Sequence, residues 1–232
     1  MTWTLATHDP DWPIDLTATH FTLNPQSTAL LVIDLQAGDI CLSPDSQMAK
    51  KHPRIADYWN SRMESLVIPN TRRLISCFRD RKMKVVFTRN GNVTPGSAEL
   101  SPRLRRKLAG CSSTRYRGTT EYEIDRRLQP QSDELVIDKL TSGAFTQTCL
   151  DHALRNMGIT GVVIAGILTD MCVLGTARTA AELGYDALVC EDACATYTER
   201  SHVEALSMHA RVFGRVADTA EVIGELETAS SR

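Results

Sequence analysis

The sequence predicts an α/β fold: a Rossmann-like, three-layer α/β/α arrangement around a mostly parallel sheet of five or six strands. Three observations point to it. Four short runs, "ALLVIDLQ" (29–36), "MKVVFTRN" (83–90), "ELVIDKL" (134–140) and "GVVIAGIL" (161–168), are nearly continuous in apolar residues. Strands covered on both faces of a parallel sheet read this way, whereas half-exposed strands alternate. Segments of helical period lie between the runs. The links are short, which implies right-handed strand–helix–strand crossovers and an open, helix-covered sheet.

Taken in order, residues 1–25 are polar and Pro-containing and read as an extended arm over a neighbour or over the sheet edge, ahead of a single domain at 26–232. After the first strand, "VIPNTRRLISCFRDRK" (67–82) reads as a helix, with Pro69 near its start and Leu74, Ile75 and Phe78 on one face. The second strand leads into an irregular polar stretch, 91–133, that is long for a connection and reads as the rim of a pocket. Beyond the third strand, "TQTCLDHALRNMG" (146–158) ends at Gly158. "DMCVLGTARTAAELG" (170–184) follows the fourth strand and ends at Gly184. Each glycine suits a left-handed C-terminal cap. "DALVCED" (186–192) supplies a fifth strand and "RVFGRVA" (211–217) a sixth, with helices at 201–210 and 218–229.

Composition narrows the class. The 232 residues are 42% hydrophobic and 23% charged, with a net charge of −2, enough chain for one ordinary globular core and no electrostatic footprint for nucleic acid. The basic run "SPRLRRKLAG" (101–110) reads as a solvated surface segment. No stretch has the length of apolar residues that a bilayer span needs, so no membrane partner is expected. The polar, acidic first 20 residues do not resemble a secretory leader. The seven cysteines (Cys41, Cys77, Cys111, Cys149, Cys172, Cys190 and Cys194) are odd in number and scattered, which fits free thiols and a cytoplasmic location. "CEDAC" (190–194) has no second Cys/His pair at zinc spacing.

Ligands of open α/β sheets bind beyond the carboxyl ends of the strands. Those ends carry Asp34, Arg89 with Asn90, Lys139, and the segment from Leu168 to Cys172. A cysteine in an apolar helix is ordinarily a small core residue. Cys172, however, falls in the first turn of its helix, with Thr169 or Asp170 as N-cap, where free N–H groups and the helix dipole favour thiolate and an adjacent oxyanion. Asp34 either begins a turn at the strand end or serves chemistry, because a carboxylate in "LLVIDLQ" is costly to bury unpaired. Lys139 follows an apolar strand and is expected to hold both partners in their charged forms, with Asp138 structural. Together they allow thiolate attack on a carbonyl with Asp34 as proton shuttle. No G-x-S-x-G supports a serine triad. Of the six histidines, His202 and His209 lie in or near the loop and helix after the fifth strand, and His209 is a candidate for the pocket wall.

The segments "LLVIDLQ", "VIDKLTSGAF" and "GILTDMCV" resemble the three motifs of the isochorismatase-like cysteine hydrolases, and the resemblance extends over about 26–228. It implies a catalytic triad of Asp34, Lys139 and Cys172. It also implies a non-proline cis peptide at Ile167–Leu168 and an oxyanion hole from the N–H groups of Leu168 and Cys172. Members of nicotinamidase type carry an Asp/His metal site after the second strand. Here "TRNGNVTPGSAELSP" has no His, so neither metal nor cofactor is expected. The stretch is more similar to the branch that cleaves small amides and ureides, such as biuret hydrolase. That implies a small amide or ureido substrate of biuret, triuret or N-carbamoyl type, and a dimer or tetramer of identical chains. Arg89 is then either a contact for substrate carbonyl or carboxylate or a surface ion pair, and Phe145 either walls the pocket or anchors its helix. Vinyl-ether hydrolysis and a non-catalytic role are the alternatives. The first does not require Cys172, and the second sits poorly with three intact charged or nucleophilic positions.

Overall fold

The protein is described by a computed structural model that covers residues 3–108 and 116–230. Six strands, β1 (Thr28–Ile33), β2 (Lys84–Asn90), β3 (Leu135–Lys139), β4 (Gly161–Ile167), β5 (Asp186–Ala195) and β6 (Arg215–Ala217), form one sheet in the order 3-2-1-4-5-6. Every pairing in it is parallel. The helices are α1 (Leu5–His8), α2 (Ile14–Thr17), α3 (Gln47–Lys51), α4 (Pro53–Arg62), α5 (Ile68–Asp80), α6 (Pro102–Leu108), α7 (Leu150–Asn156), α8 (Leu174–Glu182), α9 (Glu199–Val212) and α10 (Thr219–Ser230).

Side-chain alternation on the central strand divides the core. Leu30 and Val32 join Phe87, Val163 and Leu188 beneath α5 and α10, whereas Ala29, Leu31 and Ile33 join Val86, Val162 and Ile164 beneath α7 and α8. All six residues of β1 are buried, which is why that run shows no polar alternation. Chain order reverses between β1 and β4, so a crevice opens at their carboxyl ends. Asp34 leaves one side of this crevice and Cys172 the other.

Several boundaries differ from the sequence reading. The helix placed at 67–82 is the last part of a longer rod: α4 runs through a π-helical segment, Met63–Val67, into α5. Residues Arg211 and Val212 stay in α9, and β6 shrinks to Arg215–Ala217, because Gly214 lies so close to Ala187 that an added Cβ would sit 2.0 Å from its carbonyl. β5 is longer than expected and bulged: Val189 pairs with Ile164, but Cys194 pairs with Gly166. The six described cysteines are free, and Cys111 lies outside the described residues, as does the 109–115 part of the polar rim. The arm lies on α9 and α10 of its own chain. Arg211 bonds Asp9 (Nε–Oδ2 3.0 Å) and stacks on Trp12, Leu23 N–H donates to Glu225 at 2.6 Å, and Arg215 donates to the Phe21 carbonyl at 2.7 Å. No helix among the described residues is long and apolar enough to cross a membrane.

Candidate active site

Asp34 stands one residue beyond β1 with φ of +54°, a left-handed conformation that Asp tolerates better than most residues. This turn carries its carboxylate across the strand ends. The Thr88 hydroxyl donates to Oδ1 at 2.6 Å, and Lys139 Nζ lies 2.7 Å from Oδ2. Lys139 closes β3 and is fully buried. Its ammonium also donates to the carbonyls of Thr141 (3.0 Å) and Ser142 (2.9 Å), in addition to its ion pair with Asp34. A buried ion pair of this kind needs such added hydrogen bonds to offset the loss of water around the two charges.

Gly166, at φ of +128°, brings the end of β4 against β1: a Cβ there would meet the Ile33 carbonyl oxygen at 2.1 Å. The Ile167–Leu168 peptide is cis, and Leu168 then starts the next helical turn from an extended conformation (φ −85°, ψ 142°). The N-cap is therefore Leu168 rather than Thr169 or Asp170. Residues Thr169–Val173 form a π-helical segment ahead of α8, in which the Leu168 carbonyl accepts from Met171 (3.0 Å) and Val173 (3.1 Å). Such one-turn widenings of a helix recur at functional sites. Cys172 sits in this turn, where Asp34 and Lys139 both act on its thiol electrostatically, and Asn90 Nδ2 stands 3.8 Å from the sulfur.

The surroundings favour the protonated thiol, where the sequence reading expected a thiolate. Burial pushes the Cys172 pKa up to about 12, the neighbouring Asp34 carboxylate pushes the same way, and Lys139 opposes both without prevailing. The charge balance explains this: Lys139 and Asp34 already neutralise one another, so an ionised sulfur would leave a net negative charge at a buried position.

A cavity of about 540 Å³ opens above Cys172 and Asp34. Asn90, Thr141 and Ser142 give it a polar side, Leu42, Trp59 and Tyr197 an apolar one, and Arg103 also lines it. The Trp59 and Tyr197 rings pack 5.1 Å apart at 40°, and the Trp59 indole N–H donates to the Asp39 carbonyl. Sequence reading placed a pocket rim in 91–133, and Arg103 and Leu104 from that stretch do line the cavity. It missed Trp59, although Ala56, Trp59 and Met63 recur at helical spacing on the buried face of this rod.

Three substrate-binding candidates lie elsewhere. Arg89 donates to Asp138 at 2.8 Å, pairs with Glu123 and stacks 5.1 Å over Tyr122, so its guanidinium is committed to a surface ion-pair cluster that also takes in Arg117. Phe145 packs on Tyr185 at 5.6 Å in the core under α7 and α8, as a helix anchor. His209 is fully buried, with Nε2 3.1 Å from the carbonyl of Ala187 at the opposite end of β5, and burial lowers its pKa to about 4. Asn90 alone of the four faces the sulfur. Among the described residues, no three His, Cys, Asp or Glu side chains converge as metal ligands.

A parallel sheet in this order, with a cysteine at the β4–helix turn facing a Lys–Asp pair, is the architecture of a cysteine hydrolase. The chain belongs to the isochorismatase family, whose domain matches residues 28–221. Among curated proteins, the ureidoacrylate amidohydrolase RutB of Serratia proteamaculans (strain 568) is 31% identical over 73% of this chain and 70% of that protein. Among solved structures, a cysteine hydrolase from Pseudomonas syringae pv. phaseolicola 1448A superposes with a TM-score of 0.75 at 23% identity, over 91% of this chain and 98% of that one. The N-carbamoylsarcosine amidase of Thermoplasma acidophilum gives 0.63 at 24% identity, over 83% and 96%. At those identities the two structures speak to the fold alone.

Proposed function

We propose that this hydrolase cleaves a C–N bond of a small amide or ureido compound through a covalent Cys172 intermediate. The observation that carries the reading is the Asp34 carboxylate between Lys139 and the Cys172 thiol, at the floor of a cavity sized for a small molecule. One relative supports the bond type, the ureidoacrylate amidohydrolase RutB of Serratia proteamaculans.

Because burial and the Asp34 carboxylate favour the thiol over the thiolate, deprotonation accompanies attack. Asp34 takes the thiol proton as the sulfur bonds to the carbonyl carbon, and the Lys139 ammonium, whose partner is now a neutral acid, offsets the negative charge that passes to the substrate oxygen. The N–H groups of Leu168 and Cys172 receive the developing oxyanion. The C–N bond breaks as Asp34 gives its proton to the leaving nitrogen, which departs as ammonia or an amine. A water then loses a proton to Asp34 and attacks the acyl- or carbamoyl-thioester. The C–S bond breaks and Asp34 returns the proton to sulfur.

An ammonia-release screen over biuret, triuret, N-carbamoyl amino acids, ureidoacrylate and simple amides, run on wild type beside Cys172→Ala, tests the substrate class. Cys172→Ser is expected to lose most activity, and a wild-type thioester adduct is expected by intact-mass spectrometry after acid quench. Equal ammonia release by wild type and Cys172→Ala would end the reading.

A further inference from the structure

Behind the nucleophile turn lies a buried polar chain that the chemistry above does not use. Arg62 is the last residue of α4, where the rod passes into its π-helical segment. From there it reaches into the bulge of β5. Between paired positions β5 advances five residues, from Val189 to Cys194, while β4 advances two, from Ile164 to Gly166, so β5 carries three extra residues there. Arg62 gathers two carbonyls from this bulge: Nε donates to Cys194 at 2.9 Å and Nη2 to Glu191 at 2.8 Å. The same Nη2 lies 2.7 Å from His202 Nε2. The other ring nitrogen of His202, Nδ1, lies 2.8 Å from the Thr169 hydroxyl. His202 is 3% exposed and Thr169 1%.

Donor chemistry fixes the proton positions. A guanidinium has no acceptor, so Nε2 must present its lone pair to Arg62, and the single ring proton sits on Nδ1. Nδ1–H therefore donates to Thr169. Three charged groups face the ring: Arg62 from α4, Glu191 from β5 with Oε2 3.8 Å from Nε2, and Asp170 from the nucleophile turn. Burial holds the imidazole below its ordinary pKa despite the two carboxylates, in keeping with a neutral ring.

Thr169 opens the π-helical turn, one residue after Leu168 and three before Cys172. We propose that Arg62 and His202 are positioning residues: Arg62 sets the His202 tautomer, and His202 Nδ1–H pins the Thr169 hydroxyl, so that the turn presents the Leu168 and Cys172 N–H groups and the thiol at fixed places. The role rests on Cys172 as nucleophile, but its test does not require the substrate to be known.

Two amides separate the halves of the imidazole. Asn at 202 places an N–H near Nδ1 and so retains the Thr169 contact, whereas Gln reaches towards Nε2 and retains only Arg62. Full-length His202→Asn, His202→Gln, Thr169→Ser and Thr169→Val are compared by iodoacetamide alkylation of Cys172, followed by peptide mass mapping of the Cys172 peptide, and by turnover of whichever amide or ureide the wild type cleaves. A loosened turn admits water to the buried thiol. His202→Gln and Thr169→Val should then alkylate severalfold faster than wild type while kcat falls ~10- to 100-fold with little change in KM. His202→Asn and Thr169→Ser should stay near wild type in both readouts, and the double variant His202→Gln/Thr169→Val should be no worse than either single one. Unchanged alkylation in His202→Gln and Thr169→Val, or His202→Asn as impaired as His202→Gln, overturns the proposal. If no amide or ureide is cleaved by wild type, the proposed function fails while the alkylation arm still decides the positioning role.

Discussion

Asp34 shows how one carboxylate can serve two partners at once: Oδ2 holds the Lys139 ammonium, while the group also stays within reach of the Cys172 proton. Asp34→Asn keeps the shape and removes the proton acceptor. A loss of ~10²- to 10⁴-fold in kcat is expected, the range that a positioned general base supplies, measured with the best substrate from the ammonia screen. The protonated resting thiol has its own signature. With a pKa pushed to about 12 from an ordinary 9.0, the thiolate fraction and hence the alkylation rate of the free enzyme should climb about tenfold per pH unit from pH 7 into strongly alkaline solution. A plateau between pH 6 and 8 would show that the sulfur is ionised after all. The positions of Asp34, Lys139 and Cys172 were legible in the sequence because each ends or follows an apolar run at the same sheet edge. The charge state of the sulfur was not, since it depends on how completely Lys139 is consumed by Asp34, Thr141 and Ser142. For the same reason the sequence left Arg89 open between a substrate contact and a surface ion pair, and Asp138 and Glu123 claim it for the ion pair.

At the level of elements, the strands were the most readable part, because burial on both faces leaves an unbroken apolar run. Helix boundaries were less so. The π-helical segments at Met63–Val67 and Thr169–Val173 have no residue pattern of their own, and the β5 bulge is held by hydrogen bonds to Arg62, a residue far away in sequence. Gly166 is the element-scale position where sequence and geometry agree most sharply. Its substitution by Ala combines a left-handed φ with a Cβ 2.1 Å from the Ile33 carbonyl, so β4 must move off β1. Gly166→Ala is expected to cost at least ~3 kcal/mol in urea unfolding and to abolish turnover by displacing Cys172 from Asp34. A soluble variant with native stability would show that the two strand ends are not in forced contact.

For the molecule as a whole, the arm and the site are separate affairs. Arg211 joins the arm to α9 through Asp9 and the Trp12 ring, both partly exposed. Arg211→Ala should remove about 1 kcal/mol, lowering Tm by roughly 2–4 °C for a chain of this length, as read by thermal shift, and should leave kcat as it is. A matching fall in kcat would mean that the arm communicates with the cavity.

Asp34, Lys139 and Cys172 come from three strands, with more than a hundred residues of chain between the first and the last. No hairpin, single crossover or half-sheet contains them all, so enzymatic competence is the final event of assembly. During refolding, recovered turnover should lag behind recovered helical ellipticity and coincide with the last burial of tryptophan, making the enzyme's own reaction a clock for completion of the sheet.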